Sequence, residues 1–198
     1  MIEYIKGEIT ELTPTQMILE CGGIGYELNI SLNTYSAFTG KNSGKLYIYE
    51  VIREDAHLLF GFSEKTEREL FLMLISVSGV GPNTARMILS SIPPVELVQV
   101  IANNDEKTIT SVKGIGLKTA QRIIIDLKNK VKTADALASG GSSLAAPSSS
   151  SVIAEEAVSA LLMLGFQKAP SQKVVTAIIK NNPSLAVEKV IKEALRML

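Results

Sequence analysis

Two short segments, 35 residues apart, share one pattern: Gly79-Val80-Gly81-Pro82-Asn83-Thr84-Ala85 and Gly114-Ile115-Gly116-Leu117-Lys118-Thr119-Ala120. Each lies between apolar stretches of helical period, so Gly-[Val/Ile]-Gly-x-x-Thr-Ala joins two helices twice over. Such a joint makes narrow demands. The first glycine takes the left-handed conformation that ends a helix. The branched residue turns into the core, and the second glycine leaves the next helix's N-terminus sterically open. Its free backbone N–H groups and the positive end of its dipole then face outward, where a phosphate oxygen is a suitable ligand. Gly-x-Gly also serves as a plain tight turn between helices. The shared Thr-Ala continuation is what sets this pair apart from two unrelated turns.

The rest of the chain organises around this repeat. Helices are expected near 65–77, 82–91, 94–103, 105–111 and 117–131, making residues 63–132 a helical domain that holds both hairpins. Thr66-x-x-Glu69 suggests a capping box. The run from Leu70 to Val77 is apolar almost all round, so that helix is expected to be deeply buried. Pro82 and Pro94 suit first helical positions. Upstream, residues 1–62 read as β. Ile24 to Ile30 alternates apolar and polar, Gln16 to Glu20 precedes it, and Gly22-Gly23 between them suits a hairpin turn. Ile2 to Leu12, Lys45 to Arg53 and Ala56 to Phe62 complete five strands, enough for a small OB-like β-barrel. An SH3-like barrel fits the same strand count. Residues 133–151 turn Ser/Ala/Gly-rich and read as a flexible linker. In residues 152–198, Ile153, Ala157, Leu161 and Leu164 share one helical face, and Val187, Val190, Ile191, Ala194, Leu195 and Leu198 recur at helical spacing. Pro170 and Pro183 suit helix starts, with Asn182 as N-cap before the second, so a three-helix module is expected. The fold class is therefore α+β and multidomain.

Charge separates these parts. The 198 residues carry 20 basic and 20 acidic side chains, but residues 1–62 hold 4 basic against 8 acidic and residues 63–132 hold 10 against 7. Residues 113–132 alone carry Lys113, Lys118, Arg122, Lys128, Lys130 and Lys132 against Asp126. Lys118 and Arg122 are four apart and share a helix face beside the second hairpin. The first hairpin is poorer, with Asn83 in its first turn and Arg86 behind it. Neutrality overall thus hides a basic hairpin domain beside an acidic barrel, which disfavours an OB-type single-strand binder. Glu54 and Asp55 form an acidic turn, Arg53-Glu54-Asp55-Ala56, between the last two strands. Alone it is an ordinary polar turn. Beside a DNA-binding domain it would repel phosphates.

Several chemistries lack their residues. No Gly-x-x-x-x-Gly-Lys-[Ser/Thr] occurs, since Gly40-Lys41 is followed by Asn42 and Gly44-Lys45 by Leu46. Cys21 and His57 show no nucleophile–base pattern, His57 reads as structural, and Cys21 has no second cysteine to pair with. No metal or cofactor is expected. The opening residues lack the apolar core of a signal peptide, and the longest apolar run is too short to span a bilayer, so no membrane partner is expected and the chain reads as cytoplasmic.

The duplicated hairpin resembles the helix-hairpin-helix motifs of DNA-binding proteins. With the barrel, its Arg-Glu-Asp-Ala turn, the Leu-Phe-Gly-Phe that follows, the Ser/Ala-rich stretch and the three-helix module, nearly the whole chain resembles the RuvA family of bacterial DNA-binding subunits. The resemblance implies a non-enzymatic scaffold for Holliday-junction branch migration in recombination, repair and the SOS response. It implies a homotetramer on which an open four-way junction lies. Gly79, Gly81, Gly114 and Gly116 would hold phosphates, assisted by Lys113, Lys118, Arg122 and Asn83. Glu54 and Asp55 would be an acidic pin at the junction centre. The UBA-like C-terminal module would bind the AAA+ motor RuvB through Leu161, Leu164, Phe166 and Leu195, with the resolvase RuvC as a further partner. Asn83 and Leu117 stand where the family often carries lysine, which leaves the relative weight of the two hairpins open. A helix-hairpin-helix nuclease or glycosylase is the alternative from another class.

Overall fold

A computed structural model describes residues 1–138, 149–182 and 185–198, which divide into two compact units, 1–138 and 139–198. The first unit opens with five strands: β1 Tyr4–Leu12, β2 Gln16–Cys21, β3 Ile24–Ile30, β4 Ser43–Ile52 and β5 His57–Phe62. They close in the order β1-β2-β3-β5-β4, with β3 parallel to β5 and every other pair antiparallel. This is the OB-like barrel. Gly22 and Gly23, at φ 62° and 81°, form the β2–β3 turn. Alternation delivers Ile5, Met17, Leu19, Leu28, Ile30, Leu46 and Ile48 to the interior.

A short helix, α1 (Leu32–Phe38), joins β3 to β4 and was not expected from the sequence. Ser31 caps it by accepting from the Thr34 amide, and Phe38 enters the barrel core. Only Thr34 and Phe38 are buried in its seven residues, too few for a periodic signal.

Five helices follow in the first unit: α2 Lys65–Ile75, α3 Pro82–Ser91, α4 Pro94–Ala102, α5 Glu106–Thr110 and α6 Leu117–Ala138. The expected capping box does not form. Glu64 occupies the N-cap without a side-chain hydrogen bond, two residues earlier than Thr66 requires. The apolar run of α2 is also less uniformly buried than its composition suggests, because Leu72 faces outward. The α6 helix runs on through Ala138, into the stretch read as linker, whose residues 139–148 lie outside the described structure.

The barrel and the helices share one apolar joint. Phe71 of α2 packs against Tyr49, Phe60 and Phe62, with ring centroids 5.3, 5.4 and 4.8 Å away. Polar contacts reinforce it. The buried Glu67 carboxylate accepts from the hydroxyls of Ser31, Thr34 and Ser63. Arg68 grips Glu3 through two nitrogens at 2.9 and 2.7 Å and also donates to the carbonyls of Glu3 and Ile48.

The second unit contains α7 Ser149–Met163, α8 Lys168–Asn181 and α9 Val187–Met197 around Ala157, Leu161, Val175, Ile178, Val190 and Ala194. The start of α7 likewise overlaps the stretch read as linker. Pro170 lies within the first turn of α8. Asn182 ends α8 as its C-cap rather than starting a helix, and α9 begins later, behind Ala186. Pro183 lies outside the described residues.

Candidate nucleic-acid interface

Both repeat segments form the same turn. Gly79 and Gly114 take φ of 92° and 87°, a region that costs any other L-residue roughly 1–2 kcal/mol. Val80 and Ile115 point inward, 5% and 6% exposed, and their amides close the turns onto Val77 and Val112 at 3.0 and 3.1 Å. Ala85 and Ala120 are buried, and their amides return to the carbonyls of Gly81 and Gly116. The alanine of the Thr-Ala continuation thus packs into the core directly behind each turn. Gly79, Gly81, Gly114 and Gly116 are all solvent-exposed, and a Cβ at Gly81 or Gly116 would meet nothing within 4 Å.

Among the described residues, the amides of Gly81, Asn83 and Thr84 donate to no protein group, and neither do those of Gly116, Leu117 and Lys118. Pro82 contributes no N–H. Each hairpin thus ends in exposed, unpaired donors at the positive end of a helix of ten residues or more, α3 and α6. Two such donor clusters in one unit have the chemistry to accept backbone phosphates without reading a base.

The basic side chains distribute less simply. Lys113 and Lys118 are exposed beside the second hairpin, and Asn83 beside the first. Arg122 does not stay with the second hairpin. Its Nη1 donates to the Ser78 carbonyl at 3.1 Å, inside the first turn. Sequence spacing could not reveal this, because the contact crosses 44 residues. Arg86, which follows the first hairpin, turns away from it. It donates to Thr15 O and Asn29 Oδ1 on the barrel, and burial pushes its guanidinium below the usual arginine value. Lys128 donates to Asn104 Oδ1 at 2.8 Å, and Lys130 lies 3.4 Å from Ser76 Oγ, so both support neighbouring turns.

The acidic turn is a two-residue hairpin loop. Arg53 and Ala56 exchange backbone hydrogen bonds at 2.8 and 3.4 Å, and Glu54 and Asp55 stand exposed at the tip. His57 starts β5, where its Nε2 lies 2.9 Å from Glu50 Oε1 across the same ribbon. Among the described residues no three His, Cys, Asp or Glu side chains gather as a metal would require, and no single helix is long and apolar enough to cross a membrane.

In the second unit the four expected apolar residues divide. Leu161 is fully buried in the core of the unit. Gly165, at φ 95°, ends α7: its amide reaches Leu162 O and the Phe166 amide reaches Leu161 O, the paired bonds of a Schellman cap. That cap folds Phe166 onto the core and leaves Leu164 outside, 60% exposed, with Leu195 43% exposed on α9.

An OB-like barrel fused to a tandem of helix-hairpin-helix turns defines a class of proteins that hold nucleic-acid backbones. Residues 1–61 match the RuvA N-terminal domain, residues 71–129 the SAM-like helix-hairpin-helix tandem, and residues 152–198 the RuvA C-terminal domain. The chain is 74% identical over 198 residues to the Holliday junction branch migration complex subunit RuvA of Parabacteroides distasonis, covering 100% of both chains. The proteins of the same name from Bacteroides thetaiotaomicron and Porphyromonas gingivalis are 60% and 52% identical, again over 100% of both chains. The chain belongs to the RuvA family.

Proposed function

We propose that this protein is the non-catalytic, junction-binding subunit of a branch-migration complex, acting in DNA recombination and repair. The observation that carries the reading is the pair of outward amide clusters at Gly81–Thr84 and Gly116–Lys118, held in the same compact unit as the acidic tip at Glu54 and Asp55. The clusters hold phosphates of the duplex arms. The tip cannot bind phosphate and instead keeps strands apart where they exchange partners. Lys113 and Lys118 add charge at the second hairpin, and Asn83 adds a neutral polar side chain at the first.

Four copies form a fourfold plate under an open junction. Residues 1–62, 63–132, 133–151 and 152–198 act as barrel, gripping domain, tether and motor-recruiting module. The AAA+ motor RuvB docks on the second unit through Leu164 and Leu195, with Leu161 and Phe166 holding those two in place, and supplies the ATP-driven work. The resolvase RuvC engages the same junction. The direct test compares binding to an immobile four-way junction and to linear duplex at matched salt, with the mass of the complex giving the subunit count. A strong junction preference and a multiple of four subunits are expected. Equal affinity for both DNAs overturns the reading.

A further inference from the structure

The repeat carries a reciprocal contact that neither hairpin has alone. Arg122 and Met87 occupy equivalent positions, 35 residues apart, on the helices that follow the two hairpins. Each reaches across to the other hairpin's first glycine. The Met87 methyl lies 4.0 Å from where a Cβ on Gly114 would stand, and Arg122 Nη1 lies 4.0 Å from the corresponding point on Gly79. The geometry is shared but the chemistry is not. The second turn meets an apolar methyl, whereas the first meets a guanidinium that also donates to Ser78 O at 3.1 Å.

We infer that Arg122 is the cation of the first hairpin, supplied from the helix of the second, and that it positions the first turn while helping to hold that hairpin's phosphate. The need is visible locally. Asn83 leaves the first hairpin's opening turn without charge, and Arg86 is committed to Thr15 and Asn29 on the barrel. Arg122 is free to serve. Of its five N–H donors one is used, its side chain is exposed, and among the described residues no carboxylate pairs with it. One guanidinium can hold a carbonyl and a phosphate together, because its donors diverge in a plane. Lys113 and Lys118 remain to serve the second hairpin. A further consequence is coupling: ordering Arg122 on a phosphate at the first hairpin also fixes the helix that starts at the second.

This inference rests on the junction-binding reading, and the experiment separates the two. Full-length protein is titrated against an immobile four-way junction over a range of salt. Arg122→Gln is expected to weaken binding about tenfold and to lower the slope of log affinity against log salt by about 0.9, the loss of one phosphate contact. Adding Asn83→Lys should restore most of both, and adding Leu117→Lys, at the second hairpin, should restore little. Met87→Arg, the mirror change, should raise the slope by about the same amount by placing a cation over the second hairpin. An unchanged slope in Arg122→Gln overturns the inference, as does equal rescue by Asn83→Lys and Leu117→Lys. Failure of Met87→Arg to raise the slope overturns the reciprocal geometry. If the unmodified protein shows no junction preference, the functional reading fails instead.

Discussion

Gly79 and Gly81 sit two residues apart in the first hairpin, yet alanine should act on them through different physics. At Gly79 φ is 92°, so a Cβ strains the backbone whatever the space around it. That strain costs about 1–2 kcal/mol in the folded state, offset by about 0.4–1 kcal/mol from the stiffer unfolded chain. The net loss is at most about 1.6 kcal/mol, which lowers the melting temperature of a unit this size by up to roughly 6 °C. At Gly81 φ is −88° and ψ is 170°, extended backbone that alanine adopts freely, and a Cβ there meets nothing within 4 Å. The weaker N-cap of alanine and its smaller unfolded-state entropy nearly cancel, so stability should move by no more than about 0.5 kcal/mol. The methyl would nevertheless sit on an exposed residue whose own amide belongs to the unpaired cluster, so on the proposed function it would obstruct a phosphate. Gly81→Ala should therefore melt like the unmodified protein but bind a four-way junction about tenfold more weakly, with a salt slope lower by about 0.9. Gly116→Ala should repeat that outcome at the second hairpin. Thermal melting and fluorescence-anisotropy titration at several salt concentrations give both quantities. If Gly81→Ala binds as tightly as the unmodified protein, the open amides are not where phosphate sits, and the hairpins are only turns.

Other outcomes follow from the same structure. Glu54→Gln with Asp55→Asn should retain or tighten junction binding while altering motor-driven migration, read by gel shift and by a strand-exchange assay. A collapse of binding would assign the turn a folding role. Leu161→Ala should destabilise the second unit by about 2–5 kcal/mol, because its side chain is fully buried, whereas Leu164→Ala should leave its melting unchanged and weaken motor stimulation. The hydrogen bond from Arg68 holds the Glu3 carboxyl below its ordinary value of 4.5. A depressed carboxyl stabilises the fold above its unfolded-state value and loses that contribution as pH falls through the folded one. Glu3→Gln should therefore flatten the acid limb of the stability curve below about pH 4.5, measured by urea unfolding from pH 7 to pH 3. A parallel curve displaced at every pH would show that the carboxylate charge is not what matters.

Local patterns were the legible part of this chain. The hairpins could be read because a left-handed glycine, an inward branched residue and an open second glycine are demands made within a few residues. Strand alternation at Ile24–Ile30 and the paired glycines before it were legible for the same reason. Helix ends were less so. Thr66 and Glu69 have capping-box spacing, but the chain enters α2 earlier, and Glu67 goes instead to a buried hydroxyl cluster drawn partly from α1, more than thirty residues away. Asn182 has N-cap chemistry but closes α8, its amide bonding back to the Ile178 carbonyl. Arg86 and Arg122 are the clearest case. Sequence neighbourhood sets each beside the hairpin it follows, and both side chains leave it: one for the barrel, the other for the opposite hairpin. Long, flexible cations choose partners by tertiary proximity, which spacing along the chain does not encode.

The aromatic joint at Phe71 has a mechanical consequence. Tyr49 and Phe60 face each other across β4 and β5, the ribbon whose far end carries Glu54 and Asp55. Phe71 lies on α2, which runs directly into the first hairpin. A push on the acidic tip is thus carried by the two-stranded ribbon into a close-packed fulcrum, and from there into α2, which ends at Ile75 just ahead of the first hairpin. Close-packed aromatics yield little under such a load. On the proposed function, a strand pressing on the tip would load the first hairpin through this joint, and the span between them would be set by the length of the ribbon. Lengthening it would take extra residue pairs in the ribbon, at about 3.4 Å each, rather than any flexing of the joint.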